Sequence, residues 1–282
     1  MHQRTDRAVR EEPSAAPLLD AVPRQPGGPA APPPSPPPDS GARRWLRLLP
    51  TPTGTPFTSG YLLVLVGTSL FMEFADPATV AAVLRESSTD VAHLGETPLL
   101  VLTASALWAV GGLGSPVVFV LALVLTALER RIGGWRTAAV FVLGHVVATL
   151  ATEIPVGISV VVGHLPESSL HRLDYGISFG LMASVGALTG LFTPLVRTLV
   201  LGGLGVMLAS DLVELSSPLT DWGHPLALLL GVACWPLLRR AGAVRDAVSR
   251  GVAERGEVIR GAVPSRRAPR DTRPPARARG PR

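Results

Sequence analysis

The stretch Thr97–Leu128, TPLLVLTASALWAVGGLGSPVVFVLALVLTAL, carries no charged side chain and runs directly into ERRIGGWR at 129–136. A membrane crossing needs about 20 apolar residues, so this stretch is longer than one span. The Gly111-Gly112-Leu113-Gly114-Ser115-Pro116 break divides it. Thr97–Val110 reads as an interfacial or partly embedded segment, and Pro116–Leu128 with its preceding turn as a span. The basic turn that follows, with Trp135 inside it, is expected on the cytoplasmic side, where short loops collect arginine.

Working outward, five more apolar runs have the same character. They lie at about Gly60–Ala75, Thr137–Val162, Gly176–Phe192, Thr198–Leu212 and from Gly223 to Arg240. One set of loop ends carries Arg43, Arg44, Arg47, Arg130, Arg131, Arg136, Arg197, Arg239 and Arg240, whereas the opposite loops carry Arg85 and Arg172 with several acids. Six crossings with both termini inside satisfy this asymmetry. The expected fold is therefore all-α: a polytopic bundle of six transmembrane helices over residues 57–240, placed in the cell membrane.

Composition agrees with that reading. Hydrophobic residues make up 47% of the 282, and residues 1–56 hold half of the 28 prolines. Residues 1–56 are expected to be a disordered, Pro-rich cytoplasmic tail, either plainly solvated or a PxxP ligand. Residues 241–282 are expected to hold an amphipathic segment, with Val244, Val248 and Val252 at four-residue spacing, followed by a disordered Arg/Pro-rich tail. The start, MHQRTDRAVREEPSAAP, has no apolar run behind its charges, so the first span is expected to direct insertion itself. The net charge of +5 sits in arginines at helix ends and tails, which suits anionic lipid rather than nucleic acid. Cys234 is the single cysteine and reads as packing. The chain has neither lysine nor asparagine, which excludes mechanisms that use either side chain. No cofactor is implied. His93 with Glu96, and His164 with Glu167 and His171, have loop spacing too loose for a metal site.

An ionisable or polar group inside a membrane asks for a reason. Ser178 in Asp174-Tyr175-Gly176-Ile177-Ser178-Phe179-Gly180 and His224 in Asp221-Trp222-Gly223-His224-Pro225 are separated by about one helix down and one helix back, so both fall at outer helix ends. A serine hydroxyl becomes a nucleophile when a neighbouring base takes its proton, and neutral histidine serves near pH 7. In the first turn of its helix Ser178 would have free N–H groups and a positive dipole end beside it. His224 precedes Pro225, which favours the first helical position. Gly176, Gly180 and Ala183 or Ser184, facing Ala227 and Gly231, would let the two helices approach closely. The plainer alternative is a packing serine bonded to its own backbone and a water-facing histidine. His145, about 13 Å deep in the third span by helical rise, is read as a buried hydrogen-bonding residue or an auxiliary to the oxyanion. Asp174 is expected to cap the fourth helix or orient His224, and Asp211 is a further candidate partner for that histidine.

With the six spans, the turn containing Glu129, Arg130 and Gly133, the Gly176-x-Ser178 string, and His224 with Gly231 in the last span, the chain resembles the rhomboid intramembrane serine proteases over residues 58–240. The resemblance implies Ser178 as nucleophile, His224 as general base, a transmembrane protein substrate cut near the membrane edge, and Thr97–Val110 as the membrane-embedded first loop. Two positions depart from the family's pattern. Phe179 stands where its GxSG string has glycine, and the second span lacks the histidine and asparagine that support the oxyanion. A non-proteolytic relative that binds transmembrane helices as a scaffold or quality-control factor remains the alternative. A small-solute transporter would require inverted repeats with broken helices, and none is seen.

Overall fold

The computed structural model describes residues 49–214, 218–240 and 251. The proline-rich tail before residue 49, the turn at 215–217 and the basic tail beyond the last helix lie outside the described residues, and with them Arg43, Arg44, Arg47 and the valine stripe. Described residues are helical or in turns, with no strand. We number the helices α1 Pro56–Phe74, α2 Pro77–Glu86, α3 Val91–Glu96, α4 Pro98–Ala104, α5 Pro116–Ile132, α6 Gly134–Val161, α7 Ser178–Thr189, α8 Pro194–Glu214 and α9 Pro218–Ala233.

Three of them, α1, α6 and α8, are long and apolar enough to cross a membrane. Helix α7 is not. Its 12 residues rise about 18 Å, well short of the ~30 Å hydrocarbon core. It can be short because it is the hub of the fold: Phe179, Gly180, Leu181, Ala183, Ser184, Gly186, Ala187, Leu188 and Thr189 are all buried, with α6 and α9 against it. Both of its ends therefore sit within protein. By contrast Leu208 is the one buried residue recorded for α8, which leaves Leu195, Leu199, Val206 and Val213 facing outward.

Close packing of α7 uses glycine on every side. A Cβ on Gly231 would collide with the Ala183 carbonyl oxygen, one on Gly186 would meet the Leu228 carbonyl, and one on Gly144 of α6 would overlap Ala183. Gly180, expected to face the last helix, instead lies against the Phe141 ring of α6, and Gly186 takes its place opposite Gly231. Small residues at such contacts let backbones approach. Gly231→Ala is accordingly expected to cost about 1–3 kcal/mol by overpacking. Gly203→Ala in α8, where nothing lies within 4 Å, should leave the unfolding midpoint in detergent unchanged or slightly raised. Equal midpoints for the two variants would contradict this account of the α7–α9 contact.

Charged residues tie the bundle at the end opposite Ser178. Glu129, 2% exposed, accepts hydrogen bonds from Phe57 N (2.9 Å), Thr58 N (2.8 Å) and Thr58 Oγ1 (2.7 Å). It thus caps α1 from α5. Arg131 Nη1 donates to Leu191 O, Arg197 Nε to Thr189 O and Arg239 Nε to Gly190 O. These arginines satisfy the carbonyls that end α7, where cations are favoured. Trp235 lies under Arg197 and Arg239 at 4.8 and 5.2 Å and donates to Gly186 O. Trp235 thus packs against α7 and these arginines, and Trp108 is buried. Trp135 and Trp222 are exposed, as an anchor requires.

Candidate functional site around Ser178

The segment Thr97–Val110 packs partly into the bundle. Helix α4 and the 3₁₀ turn Ser105–Leu107 bury Val101, Ser105, Trp108 and Ala109. Side chains from two helices reach its carbonyls. Tyr61 Oη donates to Ala106 O at 2.6 Å and Thr68 Oγ1 to Leu107 O at 2.7 Å, both from α1. From α6, His145 Nε2 lies 3.1 Å from Leu102 O and 3.1 Å from Ser105 Oγ.

This segment positions the chain that leads into α7. Gly176, with φ of +140°, donates its N–H to Ser105 O at 3.0 Å. A residue with a Cβ is strained at that φ, so glycine is what lets the loop drop onto this segment before α7 begins at Ser178. Two residues earlier the loop is fastened to the residues before α3. Thr89 N donates to Asp174 O at 2.8 Å, Thr89 Oγ1 to Asp174 Oδ2 at 3.0 Å, and Asp174 N to Ser88 Oγ at 3.0 Å. Asp174 is thus a loop fastener rather than the cap of α7, which has no side-chain cap. Burial pushes its carboxyl above the ordinary carboxylate value, while the Thr89 hydroxyl and Arg172 pull it back.

A cavity of about 250 Å³ opens where these pieces meet, lined by His145, Thr149, Asp174, Gly176, Ser178 and Thr220 among others. The Ser178 hydroxyl makes no hydrogen bond among the described residues. Ser184, one and a half turns on, bonds back to Gly180 O at 2.8 Å in the usual manner of a packing serine. His224 is one turn beyond Thr220, so α9 brings it to the level of Ser178. The two are not joined. The imidazole meets the Phe179 ring edge-on, with centroids 5.6 Å apart, and Nε2 is buried without a hydrogen-bond partner. Phe179 also fills the space beside Gly223, where a Cβ would strike its ring. The expected helix start at Pro225 is corrected as well. Helix α9 begins at Pro218 and Pro225 lies inside it, so His224 is carried on a formed turn instead of at a helix mouth.

A family model described as rhomboid-like protein matches residues 53–244. The chain belongs to the rhomboid-like protein family. No curated protein and no solved structure gives a significant match. With its apolar helices, membership makes this rhomboid-like protein an integral membrane protein.

His145 was read from the sequence, but its companions along α6, Thr149 and Glu153, were not. Thr149 Oγ1 and His145 Nδ1, one turn apart on α6, are both buried and unpartnered. Glu153, a further turn on, is 1% exposed and faces Arg172 Nη2 at 4.0 Å. Spacing of four across 145, 149 and 153 was the available signal for this polar stripe. His93, expected in a loop, lies on α3 and pairs through Nδ1 with Asp90 at 2.8 Å, and no group of three or more His, Cys, Asp or Glu able to hold a metal ion occurs among the described residues.

Proposed function

We propose that this rhomboid-like protein is an intramembrane serine endopeptidase of transmembrane proteins, with Ser178 as nucleophile and His224 as general base. One observation carries the reading: Ser178 has an uncommitted hydroxyl at the uncapped N-terminus of α7, opening onto a polar cavity within a membrane bundle. Free N–H groups there stand where an oxyanion would develop, which suits a chain whose second span lacks polar oxyanion donors. For His224 to take the Ser178 proton, the imidazole has to leave the Phe179 ring. The Gly176, Asp174 and His145 contacts hold the loop and α6 in place around the serine. The proposal includes six crossings over residues 57–240, both termini in the cytoplasm of a cell-membrane protein, anionic lipid at the basic tails and transmembrane segments as substrates.

A second reading has its own support. Phe179 engages the imidazole of His224 and α8 presents apolar side chains outward, as a non-cleaving binder of transmembrane helices would have them. Labelling of the purified, detergent-solubilised protein with a fluorophosphonate, mapped by peptide mass spectrometry, separates the two. Modification of Ser178, lost in Ser178→Ala and slowed in His224→Ala, is the expected result. A folded protein that never labels favours the binder.

A further inference from the structure

His145 and Ser178 line one cavity, and hydrogen bonding fixes which imidazole nitrogen holds the proton. A carbonyl oxygen can only accept, so His145 Nε2, 3.1 Å from Leu102 O, is the donor, and Ser105 Oγ at 3.1 Å accepts from the same N–H. In the neutral ring the other nitrogen then carries a lone pair. That nitrogen, Nδ1, has no partner, and His145 is 4% exposed. Leaving a buried acceptor unmatched costs free energy, so a native site of this kind is expected to engage something. Thr149 Oγ1, one turn along α6 and lining the same cavity, is buried and unpartnered too. A volume of about 250 Å³ accommodates several water molecules at ~30 Å³ each. An unpartnered imidazole acceptor in Ser178's cavity is therefore on α6, whereas His224 is turned onto Phe179.

We propose that His145 is a second general base for Ser178, receiving its proton through one water held against Nδ1 and Thr149 Oγ1. The inference rests on the serine-nucleophile reading and adds a base to it. As Ser178 Oγ forms its bond to the substrate carbonyl carbon, the hydroxyl proton passes to the water and a water proton passes to Nδ1. The carbonyl π pair moves onto oxygen. The resulting imidazolium keeps its Nε2–H on Leu102 O and Ser105 Oγ, so its positive charge stays hydrogen-bonded on that side. Collapse of the tetrahedral species breaks the C–N bond, and the same proton returns through the water to the leaving amine. With a fluorophosphonate, the Oγ–P bond forms, P–F breaks, fluoride leaves and the proton again ends on Nδ1.

The test is the rate of fluorophosphonate labelling in the full-length protein and its variants. His145→Gln retains a side-chain N–H able to donate to Leu102 O but has no basic nitrogen. It is expected to label at least tenfold more slowly than the parent while unfolding at a similar temperature, and the His145→Gln/His224→Ala pair should label more slowly than either single variant. His145→Gly opens space for free imidazole, and labelling restored by added imidazole distinguishes proton acceptance from a packing role. Parent-like labelling of His145→Gln, or His145→Gly that folds but is not rescued, overturns the proposal and leaves Ser178 with His224 intact. An unlabelled parent instead removes the serine reading, and this inference falls with it.

Discussion

Glu129→Ala is expected to lower the stability of the bundle by about 3–5 kcal/mol, the largest loss for a single side chain away from the Ser178 cavity. Its carboxylate accepts three hydrogen bonds at the start of α1, two from backbone N–H groups and one from the Thr58 hydroxyl. Bonds to a charged acceptor contribute about 1.5–3 kcal/mol each but are not additive, and orphaned buried donors carry their own penalty. The α1 dipole adds to the loss, since a negative charge at a helix N-terminus is favourable. Water cannot easily substitute, because Thr58 and Glu129 are both buried. Gly134 closes the site from the other side: a Cβ there would lie 2.8 Å from Glu129 Oε1. Glu129→Gln keeps an accepting oxygen and the shape, so its loss should be clearly smaller. Reversible unfolding in mixed micelles, followed by circular dichroism, reads both variants. A loss under about 1 kcal/mol for the alanine variant would mean that the α1 N-terminus is satisfied without α5.

Glu129 also shows what the sequence could and could not convey. Its place next to two arginines at the end of an apolar run was read as a membrane boundary, since charge and hydropathy are assessed without reference to neighbours, although the structure keeps it inside α5. That it turns inward to cap a helix 71 residues earlier was not, because side-chain direction depends on which helices become adjacent. The same limit applies to the arginines. Arg131, Arg197 and Arg239 were read from charge alone as boundary residues, and in the structure they converge on the carbonyls at the end of α7. That Thr97–Val110 does not form a full-length helix was readable, because proline and a glycine-rich break leave too few residues for a crossing. For α7 hydropathy misled at its far end. The apolar run continues to Phe192, but the helix ends at Thr189, where arginines from neighbouring segments take its last carbonyls. At the site, sequence placed Ser178 and His224 at one level and left the aim of each side chain open. Phe179 was visible as a departure from the family's glycine; that its ring holds the imidazole of His224 required coordinates.

Phe179→Gly is the change expected to alter Ser178 reactivity most. The ring is buried and touches both His224 and Gly223, so its removal costs stability, on the order of 3–5 kcal/mol for loss of a large core side chain. The same removal takes away the edge-on contact that engages the imidazole and opens the space between α7 and α9 at the level of Ser178. A correctly placed base contributes about 10²–10⁴-fold to proton-transfer steps. If the ring is what keeps His224 from the hydroxyl, fluorophosphonate labelling of Ser178 should therefore rise by about 10²-fold or more at a temperature where the variant stays folded. The gain should depend on His224, disappearing in Phe179→Gly/His224→Ala. A labelling rate that stays at the parent level in folded Phe179→Gly would show that the separation of the two groups is set by the α7 and α9 backbones. Ser178 would then have only the α6 face of its cavity from which to draw a base.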